Sequence, residues 1–189
     1  MTPIRVADLG VEPVSLAAMR AYLRLGSDES AEDTLVAALV TAARGAVETA
    51  SRRLLRPARF QVVLTAWPAD GVLPLPLSPL VAVERVSLAA ADGVLSAIDP
   101  GPIRLGPDPW DAPCLRFGPD LPALDGRSAL VEVIAGSGGD GPVAPEPLLQ
   151  ALRLTVADWF ENRGDDPGAP RLLPPAAAGL ATACRRMRL

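Results

Sequence analysis

Length, composition and charge already exclude several classes of protein. The chain has 189 residues, close to the usual size of one domain. Its 18 basic residues are all arginines, and the 22 acidic residues give a net charge of -4, which argues against a protein that coats DNA. Histidine is absent, so histidine-based triads and histidine zinc sites are excluded. Cys114 and Cys184 form no CxxC and are expected to be free thiols.

The first ten residues lack the apolar core of an export signal, since they carry Arg5 and Asp8. No run approaches the roughly 18 apolar residues that a membrane helix needs. We therefore expect no membrane partner.

The N-terminal part predicts two helices. Ser15 can cap a short first helix, with Gly26 placed to end it. Residues 30–33 resemble a capping box, and the apolar positions that follow repeat at steps of four and three. These positions are Val36, Val40, Ala43, Val47, Ala50 and Leu54. The pattern indicates an amphipathic helix over residues 33–55 that Pro57 ends.

The middle of the chain predicts short strands at residues 60–67, 72–77, 81–89 and 129–134. Eleven prolines lie between residues 68 and 122, and each removes a hydrogen-bond donor from a strand. We therefore expect no central strands of a wide sheet there. Residues 98–124 are expected to form either a partner-binding loop or a merely flexible one, with one short strand near residues 114–117.

The glycines of residues 136–141 match the GxGxxG pattern of dinucleotide sites. That site needs the glycines to open a helix inside a repeated βαβ fold. Here Pro142, Pro145 and Pro147 intervene, and the 26 residues after Arg163 are too few to complete such a sheet. The loop is interpreted as a flexible connection, and no cofactor is expected.

Residues 145–163 predict a further helix whose apolar face comprises Leu149, Leu152, Val156, Trp159 and Phe160. Asp158 and Glu161 are three residues apart, but no other metal ligand or base accompanies them, so capping or a salt bridge with Arg163 is favoured over catalysis. We expect no catalytic residue and no metal site.

The C-terminal part breaks the helix at residues 164–170 and predicts a short helix from Ala176. It finishes with Arg185, Arg186, Met187, Arg188 and Leu189. This positive, apolar-tipped arm either docks into an acidic groove or is a frayed end.

The order of these segments resembles the head-to-tail connector, or adaptor, of long-tailed phages and of the related gene transfer agents. The resemblance covers residues 12–180, except for the poorly matched stretch at residues 100–122. It rests on residues 14–17, 22–24, 33–39, 134–138 and 143–148, and on Trp159, Phe160, Glu161, Asn162 and Arg163.

The resemblance implies an α+β fold, a helical bundle with a β-rich, proline-rich insertion and a C-terminal arm, in one domain over residues 1–189. The expected parts are helices within residues 12–57, the insertion at 58–135, a helix at 145–163 and the arm at 164–189.

The resemblance also implies a structural component of a virion, prophage or gene transfer agent particle rather than an enzyme. A dodecameric ring would join the portal protein of a DNA-filled head to a stopper or other tail-side component. DNA would pass through its channel without sequence-specific binding, helped by the negative net charge. Before assembly the chain would lie in the bacterial cytoplasm.

Within that ring, the helix at 33–55 would pack subunits together and the β loops would face the tail. The portal would be bound by Arg185, Arg186, Met187, Arg188 and Leu189, so a cut after Gly179 is expected to remove portal binding without unfolding the chain. Two other classes stay open: a soluble helical protein-interaction module unrelated to particles, and a small enzyme, which would need a pocket with convergent polar groups.

Overall fold

The computed structural model describes residues 2–26, 30–162 and 172–186. They form four α-helices and eight β-strands, which confirms the α+β class. The helices are α1 (Leu16–Leu23), α2 (Asp33–Ser51), α3 (Glu146–Asn162) and α4 (Pro175–Ala183). The strands are β1 (Ile4–Asp8), β2 (Ala58–Leu64), β3 (Val72–Pro74), β4 (Leu80–Ala89), β5 (Leu95–Ile98), β6 (Ile103–Leu105), β7 (Cys114–Phe117) and β8 (Ser128–Ala135).

The described residues divide into two compact units. Residues 2–10 and 56–142 form the β unit, which holds the eight strands, while Val11–Leu55 and Val143–Arg186 form the helical unit, which holds the four helices. The expectation that residues 1–189 form a single domain stays a prediction.

The β unit contains a five-stranded antiparallel sheet in the order β1-β2-β8-β4-β5. Residues alternate between buried and half-buried along β8, as in a strand that covers a core on one face. The expectation that this part of the chain supplies no central strand of a wide sheet is wrong, because β4 lies between β8 and β5. The prolines lie almost entirely in the connections, and only Pro74, the last residue of β3, lies within a strand, so the ladders of β2, β4 and β8 keep their donors.

Residues 98–124 are less of a loop than expected. The strand at 114–117 is confirmed as β7, and it pairs with both β3 and β6 in a three-stranded sheet. The ring of Trp67 lies 5.6 Å from that of Phe117, and its indole nitrogen donates to the carbonyl of Pro122 at 2.8 Å. Leu115, Ile103 and Leu124 are buried, so this segment has a core to anchor it.

The helical unit is built on the apolar stripes that the sequence shows. In α2 the stripe from Val36 to Val47 is buried, and in α3 Leu149, Leu152 and Val156 are buried, as predicted. Helices α2, α3 and α4 contact one another, and α1 contacts α2 and α3. Each buried Leu or Val side chain contributes about 1.5–3 kcal/mol, so this cluster stabilises the unit.

The helix ends differ from the sequence expectations in part. Ser15 caps α1 as predicted, accepting from the backbone N–H of Ala18 at 3.1 Å. However, α1 ends at Arg24, which adopts the left-handed conformation, rather than at Gly26. The capping box is wrong, because Glu32 occupies the N-cap of α2 and makes no side-chain capping bond.

The C-terminal end of α2 is also earlier than predicted. The helix stops at Ser51, and Arg52 is left-handed at φ 58°, well before Pro57. The Ser51 hydroxyl donates to the carbonyl of Val47 at 2.7 Å and accepts from the N–H of Arg53 at 3.3 Å, which gives the backbone an alternative to helical bonding.

A largely buried ion-pair network is centred on Arg44 of α2. The Arg44 side chain donates to Glu12 at 2.7 Å through Nε and to Glu48 at 3.0 Å through Nη1, and only 7% of that side chain is exposed. Burial lowers the pKa of Arg44, but the hydrogen bond to Glu12 and the charges of both glutamates outweigh burial and leave the pKa raised. Glu48 also accepts from the N–H of Leu55 at 2.8 Å. The network therefore fixes the segments on either side of α2.

Candidate interaction surfaces

Two arginine pairs, one following α2 and one following α4, lie together in the helical unit. The guanidinium Nε of Arg53 donates to the carbonyl of Cys184 at 2.7 Å. The backbone N–H of Arg186 donates to the carbonyl of Ser51 at 3.0 Å. These bonds join the ends of two helices that are far apart in sequence. We call the four residues the arginine cluster: Arg52, Arg53, Arg185 and Arg186.

The members of the arginine cluster differ in how far they reach solvent. Arg185 is exposed, Arg52 and Arg53 are half-buried, and Arg186 is buried. Cations are favoured at helix C-termini, where carbonyl groups concentrate negative potential, so part of the cluster's role is structural. The local positive charge nevertheless stands out in a chain whose net charge is -4. Sequence reasoning missed residues 52–53, because the helix was predicted to run to residue 55 and therefore to include both arginines.

Part of the C-terminal segment belongs to the core of the helical unit. Ala181 is fully buried in the core of the helical unit, and Arg186 is bonded to Ser51. A cut after Gly179 deletes this core residue, so we now expect it to destabilise the fold as well as to remove the arm. Met187, Arg188 and Leu189 lie outside the described residues, so a cut after Arg186 is the cleaner way to remove them.

The end of α3 separates the predicted motif into two kinds of residue. Trp159 and Phe160 are half-buried and pack against the helical core. Glu161 and Asn162 are exposed, and the Asn162 amide donates to Asp158 at 3.1 Å. Arg163 lies outside the described residues. The aromatic pair is thus a packing element, while the polar pair is available at the surface.

The face of α2 that points away from its core is uncharged. No charged residue occurs between Asp33 and Arg44. The exposed residues of this stretch are Thr34, Leu35, Ala37, Ala38, Thr41 and Ala42. We call them the outer face of α2. Uncharged side chains on a regular helix suit packing against another protein surface, because charged residues are depleted at interface cores.

The glycine-rich loop after β8 is closed on its own chain. The backbone N–H groups of Gly136, Gly138 and Gly141 donate to carbonyls of this chain at 2.8–3.0 Å. A dinucleotide loop would offer such N–H groups to phosphate. Ser137 is buried, and α3 starts only at Glu146. The geometry supports rejecting a nucleotide site.

Replacing Gly136 by alanine is expected to destabilise the β unit strongly. Gly136 has φ 120°, and an added Cβ would lie 2.2 Å from the carbonyl oxygen of Arg56. Both the strain and the backbone overlap are unfavourable, so we expect a loss of at least about 3 kcal/mol. Urea unfolding measures it, with Gly126→Ala as the control.

The control separates strain from steric overlap. Gly126 also has positive φ, but no atom lies within 4 Å of its Cβ position. Its replacement should cost only about 1 kcal/mol. Equal losses for both variants would show that the approach to Arg56 is unimportant.

An exposed ion pair crosses the larger sheet. The guanidinium of Arg59 in β2 donates two hydrogen bonds to the carboxylate of Glu84 in β4. One of them joins Nη2 to Oε1 at 2.7 Å. The hydrogen bond to Glu84 raises the pKa of Arg59, and the same bond lowers the pKa of Glu84. Glu84 is thereby held ionised, which is unlike a catalytic acid.

The remaining chemistry offers no assembled centre in the parts that the structure describes. No group of three or more potential metal-ligating His, Cys, Asp or Glu residues occurs among them. Both cysteines are free. None of the described helices is long and apolar enough to cross a bilayer.

Comparison with known proteins gives one consistent result. No protein-family model matches the chain, and no curated protein matches it. Among solved structures, it is similar to a chain of the neck of an empty gene transfer agent (GTA) particle computed with C6 symmetry, at 28% identity and a TM-score of 0.79. It is also similar to a chain of the virion of a native GTA particle, at 29% identity and a TM-score of 0.79.

A third similar chain comes from the neck of a native GTA particle computed with C12 symmetry, at 26% identity and a TM-score of 0.71. Each comparison covers 100% of this chain and 97% of the other. The resemblance to gene transfer agents is thus confirmed at the level of the particle neck: this chain is similar, over its whole length, to chains of GTA necks and virions.

Proposed function

We propose that this chain is a structural component of the neck of a gene transfer agent particle, and that it serves there as the adaptor between the portal of the head and the tail. The observation that carries the proposal is the whole-length likeness to GTA neck and virion chains, at 28–29% identity with TM-scores of 0.79. The C6 and C12 symmetries of the similar necks support a ring, and we propose twelve copies.

In this proposal the arginine cluster and residues 187–189 bind the portal. The cluster gathers positive charge at one place on a chain of net charge -4, which suits an acidic groove on a partner. Arg185 is exposed and can reach such a groove. Met187 and Leu189 would add apolar contacts beside the charges of Arg185 and Arg188.

The outer face of α2 packs neighbouring copies in the proposed ring, because it is regular and uncharged, and charged residues are depleted at the cores of protein interfaces. Loops of the β unit contact a stopper or other tail-side component. The ring continues the DNA channel, and an acidic chain would let DNA slide because like charges repel. No catalytic step is assigned to any residue.

Deleting the gene from a producing strain tests the proposal. We expect negative-stain electron microscopy to show DNA-filled heads and free tails, with tailed particles restored by a plasmid copy. The joining step, not head filling, should fail. Intact tailed particles in the deletion strain would discard the adaptor and return the chain to the class of soluble interaction modules.

A further inference from the structure

We propose that neighbouring copies in the ring pair through the edges of the five-stranded sheet, β5 of one copy adding to β1 of the next. This inference rests on the proposed function, because it presupposes the ring. It adds a second contact between neighbouring copies to the one proposed for the outer face of α2. The occupant of each edge is a second copy of this chain.

The β5 edge lacks the features that keep edge strands apart. Within the described residues its outer side pairs with no other strand. Leu95–Ile98 contains no charged residue and no proline, and its register with β4 runs without a bulge. Val94 and Leu95 are both more than half exposed. A free, apolar, regular edge is a template for another strand.

The β1 edge offers the complementary strand. Ile4 and Val6 are more than half exposed, and the described residues place no strand on the outer side of β1. A bulge lies between Arg5 and Ala7, where the register with β2 shifts. It limits the length over which a partner strand can pair. A four-residue strand such as β5 suits this short edge.

The direction of the strands favours a ring over a symmetric dimer. Four antiparallel steps separate β1 from β5, so the two edge strands run in the same direction. Pairing β5 with the next copy's β1 therefore keeps every copy in the same orientation. A closed ring, in which two different surfaces of neighbouring copies meet, requires this.

The charges of the two edges are complementary. Residues 90–99, the β4–β5 hairpin, carry Asp92 and Asp99 and no arginine. At the β1 edge, Arg5 and Arg56 both pair with Asp8, at 2.6 Å and 3.5 Å. These arginines of the β1 edge would lie beside a hairpin whose charges are all acidic. Opposite charges favour the β5-to-β1 contact over β5-to-β5.

Charge variants of the two edges test the pairing in particles. In a deletion strain, the complementing gene carries Val6→Glu, Leu95→Arg, or both. We expect each single variant to lower the fraction of tailed heads at least tenfold, because each places a like charge at the contact. The double variant should recover most of the loss. Val6→Arg removes the same apolar surface but faces the acidic hairpin, so it should lose less than Val6→Glu.

Cross-linking tests which edges meet. Val6→Cys and Leu95→Cys are combined in a chain with Cys114→Ser and Cys184→Ser, and particles are treated with a short bismaleimide. Edge pairing predicts a ladder of dimers and larger multimers that neither single-cysteine chain gives. A dimer from Leu95→Cys alone would overturn the proposal in favour of β5-to-β5 contacts.

The two proposals fail differently. Tailed particles with no ladder, together with charge variants that assemble normally, would overturn edge pairing and leave the adaptor standing. Intact tailed particles in the deletion strain itself would instead overturn the adaptor.

Discussion

Reversing the charges of Arg52 and Arg185 to glutamate is expected to leave the chain folded and to abolish its binding to the portal. Arg185 is exposed and Arg52 is half-buried, so neither change removes core packing. In the proposed interface, both would turn attraction for an acidic groove into repulsion. We expect at least about 100-fold weaker binding, equivalent to about 2.7 kcal/mol.

The measurement is binding of the purified chain to purified portal, followed at two salt concentrations. The matched control is Arg104→Glu with Arg116→Glu, two exposed arginines that face each other across β6 and β7. This pair changes the net charge equally but lies in the β unit. Equal weakening by both pairs would mean that net charge, and not the arginine cluster, governs binding. A cut after Arg186 then separates the contribution of residues 187–189.

Replacing Arg44 by methionine is expected to lower the free energy of unfolding by about 3–5 kcal/mol. The substitution removes the cation that forms ion pairs with Glu12 and Glu48. Only 9% of the Glu48 side chain is exposed, so solvent compensates little for the loss. Two carboxylates would then face each other without the charge between them. Thermal and urea unfolding at neutral pH measure the loss.

The control for this variant is Arg153→Met on α3. Arg153 lies 3.6 Å from Glu146, whose side chain is 77% exposed, so breaking that pair should cost less than about 1 kcal/mol. A chain with Arg44→Met, Glu12→Gln and Glu48→Gln should recover part of the stability, because no uncompensated charge remains. Similar losses for Arg44→Met and Arg153→Met would contradict the structural role of the network.

Local patterns predicted the helices well because their signals lie within a few residues. The stripe of α2, the apolar face of α3 and the Ser15 cap are all read from spacings of three or four. The ends of α1 and α2 were harder. Arg24 and Arg52 adopt the left-handed conformation that glycine favours, and an arginine in the sequence does not indicate that conformation.

The sheets were harder still, because strand pairing depends on distant residues. The number of prolines suggested that the β section was broken. The prolines fall almost entirely between the strands, so their positions, rather than their number, determine where strands can form. Strand β1 lies far from its partner β2 in sequence, and its five residues carry no turn signal that links them.

The candidate site could be seen only in part from the sequence for the same reason. The arginines at residues 185–186 stood out near other arginines, but those at residues 52–53 looked like an ordinary helix end. They become one cluster through a bond from Arg53 to Cys184, which spans 131 positions. The rejection of a nucleotide site needed no such bond, because prolines after the glycines were visible directly.

The bond between Arg53 and Cys184 also sets an order of events during synthesis. Helix α2 leaves the ribosome long before α4, and at about 5–20 residues per second the wait for 131 further residues is on the order of ten seconds. During that time the buried stripe of α2 lacks Ala177 and Ala181, the core residues that α4 supplies. The nascent chain therefore leaves part of that stripe uncovered until α4 is made, and the arginine cluster forms only after translation has passed residue 186.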